Sequence, residues 1–194
     1  MNDERKKMTR EEALKLMQEL VVQENIRKHL LSTEVVMRAL AKKLEPEKEE
    51  DYALAGLLHD GDYNDQTPVE QQGIKVSKLI KDKGYQISDE VAQAMAAHNW
   101  SNNRVEPKAK MDWALFCCDS LTGLVVATTL VRPEKKLALV EVKSVLKKFK
   151  QPSFAAGTRR EDIQMCEEKL GIPLEEFVKL SLEAMQGISE ELGL

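Results

Sequence analysis

The nineteen residues Trp113–Val131 contain one charged side chain, Asp119. A run of that length and apolarity can cross a membrane or form the innermost helix of a bundle. An aspartate near the middle, together with Ser120, Thr122, Gly123, Thr128 and Thr129, favours the bundle. A lone carboxylate in an apolar interior is costly, so Asp119 must be paired, hydrogen-bonded or bound to a metal. Neighbouring Thr122 is one candidate partner, and a Lys or Arg from elsewhere is another.

Around this run the chain reads as helix. Thr9 with Glu12, and Thr67 with Glu70 after which Pro68 opens the first turn, fit capping boxes. Ser88 suits an N-cap, and Pro107, Pro133 and Pro173 each stand where a helix can begin. The pattern predicts nine helices, near 10–20, 24–44, 50–60, 68–83, 89–99, 108–130, 134–149, 159–169 and 173–186. Strand signals are sparse and there is no internal repeat. The expectation is one all-α domain over 1–194, with its core at about 25–185 and the helix 10–20 as an extension.

Composition narrows the function classes. Hydrophobic residues make up 42% and charged residues 32%, which fits a soluble globular chain. A net charge of −4 argues against binding a nucleic-acid polymer by its backbone. Cys117, Cys118 and Cys166 include no Cys-x-x-Cys spacing, and the start MNDERKKMTREEA lacks the apolar core of a signal peptide. Reduced thiols and a cytoplasmic location are expected, with no membrane partner. Oligomeric state is left open.

The chain has three histidines. On helix 24–44, Ile26, Leu30, Met37, Leu40 and Leu44 form the inward face, with His29 at its margin and Arg27, Glu34, Arg38 and Lys42 opposite. His59 and Asp60 close the segment DYALAGLLHD, whose residues 53–58 are all apolar or Gly, before the terminator Gly61. His98 ends SDEVAQAMAAHN on the face of Val91 and Met95. Taken alone, His29 and His98 each read first as a core histidine hydrogen-bonded to backbone, and the His59-Asp60 dipeptide is a weak signal. Three inward-leaning imidazoles with two carboxylates make a metal site the better joint reading. That donor set suits Fe, Mn, Ni, Co or Zn without choosing among them. Asp62 and Asp65 follow in the same loop. Cys118, about 100° around the helix from Asp119, is expected to be core and not a ligand. Trp100 and Trp113 are expected to pack.

A locally basic stretch, 132–150, offers Arg132, Lys143 and Lys147 as counter-charge for an anionic substrate. Arg159 and Arg160 in FAAGTRR are further candidates to reach over the site.

The order H…HD…H…D resembles the HD-domain superfamily of metal-dependent phosphohydrolases. LLHDGDYND, AAHNW, CDSLTGLVVATTLVRP, KSVLKKFK and FAAGTRR are similar to a prokaryotic branch of predicted HD hydrolases, over about residues 25–185. The resemblance implies an all-helical fold around one divalent metal, held by His29, His59, Asp60 and Asp119. His98 matches one of two additional histidines of two-metal members. Only Gln71 and Gln72 stand near the place of the other, so a full second site does not carry over. Where some single-metal members have a water-activating Glu, this chain has Tyr63, with Asp62 the nearest acid. The implied activity is hydrolysis of a small phosphate ester, a nucleotide or similar phosphomonoester, by metal-activated water. Asp60, Asp62 and His98 would be catalytic, with Asp62 or Asp65 handling water and His98 protonating the leaving oxygen. The alternative is a non-catalytic module of the same kind that binds metal or a phosphorylated ligand.

Overall fold

The computed structural model describes residues 6–194. Helix α1 (Arg10–Leu20) precedes α2 (Glu24–Leu44), α3 (Glu49–Leu58), α4 (Lys75–Asp82) and α5 (Asp89–Ala97). Then come a single turn, α6 (Trp100–Asn103), the long α7 (Lys110–Leu130), α8 (Val142–Phe149), α9 (Arg160–Leu170), α10 (Leu174–Gln186) and the short α11 (Ser189–Leu192). The only strands among the described residues are β1 (Lys6–Lys7) and β2 (Tyr85–Gln86), a two-residue parallel pair. The protein is all-α.

Local chemistry explains several boundaries. The box at α1 is formed: Thr9 Oγ1 accepts from the Glu12 amide, and Glu12 accepts from the Thr9 amide at 3.0 Å. Ser88 caps α5 by accepting from the Val91 amide. Asp112, fully buried in the first turn of α7, accepts from the amides of Lys108 and Ala109. This supplies partners for donors just ahead of the helix.

α7 is the axis. It is buried along most of its length against α2, α5, α8, α9 and α10. Its length and composition would suit a membrane span, but here the bundle takes the place of lipid. α2 and α3 form the other tight pair. A Cβ on Gly56 would lie 2.8 Å from the carbonyl oxygen of Thr33, so glycine lets α3 press against α2.

Three sequence expectations are corrected. Helix 68–83 is broken: Val69–Gln71 is a 3-10 turn, and α4 begins only at Lys75. Gly73, at φ 79, lies in the left-handed region between them, and Thr67 bonds Asn64 and Lys75 instead of capping a helix. Helix 134–149 is likewise a 3-10 turn, Leu137–Leu139, followed by α8 from Val142, because Lys135 takes φ 49 and Glu141 is extended. Glu34 does not face solvent: it is buried, and Arg10 of α1 donates to both of its oxygens. The helix 10–20 is therefore a lid over a buried carboxylate as well as an extension.

Candidate metal centre

Four separate elements bring one group of side chains together. α2 supplies His29, the end of α3 supplies His59 and Asp60, the end of α5 supplies His98, and mid-α7 supplies Asp119. The close approach at Gly56 puts the end of α3 beside α2. His59 Nε2 there lies 3.2 Å from His29 Nε2. Asp119 Oδ1 is 3.0 Å from His29 Nε2 and 3.7 Å from His59 Nε2. Asp60 Oδ2 faces the same two nitrogens at 3.9 and 3.7 Å. Its other oxygen, Oδ1, lies 3.3 Å from His98 Nε2.

The imidazoles are oriented from behind. His59 Nδ1 meets the Gly56 carbonyl at 2.9 Å, and His98 Nδ1 meets the Met95 carbonyl at 2.5 Å. Carbonyls only accept, so both Nδ1 atoms carry the proton and both Nε2 atoms face the centre. Thr122 Oγ1 donates to the Asp119 carbonyl at 2.8 Å, so its 3.0 Å contact with His29 Nδ1 places a proton on that nitrogen too. Thr122 thus serves His29, not the Asp119 carboxylate as the sequence suggested. No sequence signal marks that pairing, since 93 positions separate the two.

The donor set fits a metal ion. Two donors about 2.1 Å from a shared ion lie roughly 3.0 Å apart at a right angle and roughly 3.4 Å apart at the tetrahedral angle. The spacings around His29, His59, Asp60 and Asp119, from 3.0 to 3.9 Å, bracket those edges. Two imidazole nitrogens with inward lone pairs 3.2 Å apart need a cation or a proton between them. Two overlapping trios, His29–His59–Asp119 and His59–Asp60–His98, could each hold an ion. His59 is fully buried, while His29, Asp60 and Asp119 keep a narrow solvent exposure.

Without a cation the cluster is strongly polarised. Burial pushes the Asp60 carboxyl up, but His59 and His98 outweigh it and hold it at about 2. Asp119, also buried, is held well below the usual carboxylate range by His29 and His59. Burial opposes the charge on His98, yet Asp60 and Asp119 raise it to about 9. His29 is raised in the same way by Asp119 and Asp60, against its burial.

Other sequence candidates lie elsewhere. Asp62 is fully buried, but its two oxygens are taken up by the amides of Gly73 and Val76, at 3.0 and 2.8 Å. It clasps the start of α4 to the loop, so the expected water-handling role is corrected to a structural one. Burial raises its carboxyl, partly offset by those two amides. Asp65 and Tyr63 are exposed. Arg132 is also corrected: the eleven steps along α7 from Asp119 to Leu130 rise roughly 16 Å, and Arg132 lies two residues beyond the helix. Arg132 and Lys147 line a separate cavity with Ser144 and Lys148. Lys143 is exposed and paired with Glu141 at 2.8 Å. None of the three reaches the His/Asp cluster. Arg159 comes nearest, donating to the His98 carbonyl at 3.5 Å and pairing with Asp162. Arg160 is held by the carbonyls of Phe149, Gln151 and Phe154. Cys118 is buried with its thiol toward the Leu115 carbonyl, away from ligand duty. Trp100 and Trp113 pack with Phe116.

A cavity of about 400 Å³ opens beside His29 and Thr122. Lys28 lines it, a cation that nothing in the sequence singles out, along with Asn25, Ser32, Gly123, Val126 and Leu130.

No family model matches the chain, and no curated protein or solved structure matches it either.

Proposed function

We propose that the protein is a metal-dependent phosphohydrolase that cleaves a phosphate ester of a small molecule, a nucleotide or similar phosphomonoester. The observation that carries this is the convergence of His29, His59, Asp60 and Asp119, each oriented by contacts behind it. The ordered resemblance to HD-domain phosphohydrolases supports the same reading. One divalent transition metal, Fe, Mn, Ni, Co or Zn, would be held by those four residues, and when bound it supplies Lewis acidity and an acidified water.

The chain's own residues do the rest. Thr122, Gly56 and Met95 fix the tautomers that aim Nε2 inward. Asp60 divides its carboxylate, one oxygen toward His29 and His59 and the other toward His98. His98, protonated through its contact with Asp60, is the group placed to give a proton to the leaving oxygen.

The second reading, a non-catalytic module that binds metal or a phosphorylated ligand, is favoured by one observation. With Asp62 spent on backbone amides, the cluster has no carboxylate outside the proposed ligand set among the described residues.

Elemental analysis of purified protein comes first, and absence of tightly bound or rebinding transition metal overturns the enzyme reading and the metal-binding form of the second. A metal-supplemented screen of phosphate esters, with Asp60→Ala as control, then separates them. Turnover that Asp60→Ala abolishes supports the enzyme. Equal background from both proteins leaves the binding module.

A further inference from the structure

A cavity of about 500 Å³ lies where the chain leaves α7 and meets α8. It gathers positive charge from both sides. Arg132 stands two residues beyond α7, and Lys147 and Lys148 lie in the last turn of α8. Glu134 is the one carboxylate in the lining. The surrounding residues 132–150 carry seven basic side chains against Glu134 and Glu141, in a chain whose net charge is −4. The protein does not use up these cations itself. Arg132 Nε is buried without a hydrogen-bond partner, and Glu134 Oε2 stands off at 3.6 Å. Lys147 is exposed and, among the described residues, pairs with no carboxylate. Lys148 Nζ meets Gln151 Oε1 at 3.4 Å and lies 4.4 Å from the centre of the Phe154 ring. Ser144 precedes Lys147 by three residues, so both stand on one face of α8. The Thr128 hydroxyl is spent on the Leu124 carbonyl at 2.8 Å, and Val131 and Pro133 add an apolar rim.

We infer that this cavity is an anion site separate from the metal centre, and that it takes a small phosphorylated ligand bearing at least two negative charges. A buried guanidinium N–H without an acceptor is costly, and like charges held together repel. A phosphoryl group between Arg132 and Lys147 relieves both, and the forked guanidinium suits its oxygens. Three cations against one carboxylate leave a surplus that a dianion balances. A concave site in an acidic chain fits a small ligand better than a polymer. The eleven steps of α7 between Asp119 and Leu130 keep that ligand away from the His/Asp cluster, so it is not presented there for reaction. The site therefore stands whether or not the protein is a phosphohydrolase. Its ligand bridges the end of α7 and α8, which makes it a stabiliser of the folded chain.

Methylenediphosphonate, which is not hydrolysed, serves as the probe. Titrated calorimetrically into the purified protein, it is expected to bind at a saturable site. Arg132→Gln and Lys147→Gln should each weaken that binding about tenfold or more, the typical worth of a charge-assisted hydrogen bond. Lys147 is exposed, so its variant keeps the fold even if Arg132→Gln does not. Lys135→Gln with Lys136→Gln removes two charges from the same stretch but outside the lining, and screening should hold its effect to about twofold. The probe should also raise the thermal unfolding midpoint of wild type and not that of Lys147→Gln. No binding, or binding that Lys147→Gln leaves intact, overturns the inference, the latter by placing the probe elsewhere, as at the metal centre. An equal loss in the Lys135/Lys136 double variant overturns it by reducing the site to general basicity. Binding of an anionic lipid vesicle or a DNA duplex, without binding of methylenediphosphonate, overturns the small-ligand assignment.

Discussion

Thr122 accepts the Nδ1 proton of His29 at 3.0 Å and hands its own proton to the Asp119 carbonyl, joining mid-α7 to α2. The hydroxyl thus fixes the ring whose other nitrogen lies 3.0 Å from Asp119 Oδ1. Losing such an orienting bond typically weakens metal affinity by about 10–100-fold. Thr122→Val is expected to fall in that range, and Thr122→Ser to stay near wild type, in competition against a chelating dye. If the valine variant binds metal as tightly as wild type, Thr122 does not orient His29.

Asp62 is predicted to matter for folding and not for metal. Asp62→Ala strands two buried amides, those of Gly73 and Val76, and a stranded buried donor costs about 1–3 kcal/mol. A loss of about 2–4 kcal/mol in urea unfolding is expected, with the metal stoichiometry of the folded protein preserved. An unchanged midpoint, or loss of metal from folded protein, would contradict the clasp.

Gly73 and Gly84 both have positive φ, 79 and 85, but differ in surroundings. A Cβ on Gly73 would sit 2.2 Å from the Met95 carbonyl and 2.9 Å from His98 Cε1, whereas one on Gly84 meets nothing within 4 Å. Gly84→Ala should cost about 1–2 kcal/mol from backbone conformation alone. Gly73→Ala should cost clearly more and displace His98 from Asp60. Chemical denaturation compares the two costs, and the NMR titration of His98 reports its environment. Equal costs for the two variants would show that the Met95–His98 turn yields freely.

The metal-free protein should be sensitive to alkali. His98 rises from 6.5 to about 9 on folding, so its contribution to stability is full below 6.5 and is lost as pH rises through about 9. Asp60 is the same pair seen from the other side. It falls from 3.8 to about 2, so its contribution is full above 3.8 and is lost as pH falls through about 2. Unfolding midpoints of metal-stripped protein should decline between about pH 6 and about pH 9, and His98→Gln should flatten that decline. A wild-type profile as flat as that of the variant would remove the ion pair from the argument.

The helices that could be read from sequence are those governed by neighbours within one turn. The Thr9–Glu12 box, the Ser88 cap and the apolar run of α7 all act over three or four residues or along one helix. Their breaks were less legible. A capping pattern at Thr67 and Glu70 was overruled by Gly73, whose turn makes room for His98 and is tied down by Asp62.

For the candidate site, residue type and helix position were enough to pick out His29, His59, Asp60, His98 and Asp119 as inward donors. Which of the surrounding polar groups serve them was not. Asp62 lies two residues from Asp60 yet turns to the backbone of another helix. Arg132 lies on the chain directly after the Asp119 helix yet ends up about half the length of α7 away. Glu34 reads as a surface position but is covered by α1.

The sequence by itself determined an all-α chain with a carboxylate in its central helix and imidazoles at the ends and margins of others, because periodicity, capping and the cost of a lone buried charge are local rules. Only the tertiary structure decided that these donors meet with Nε2 atoms inward, that Thr122 holds His29, and that a cavity lined by Lys28 opens beside His29. Those facts depend on contacts between segments tens of residues apart, and the close packing of helices, not spacing along the chain, sets such distances.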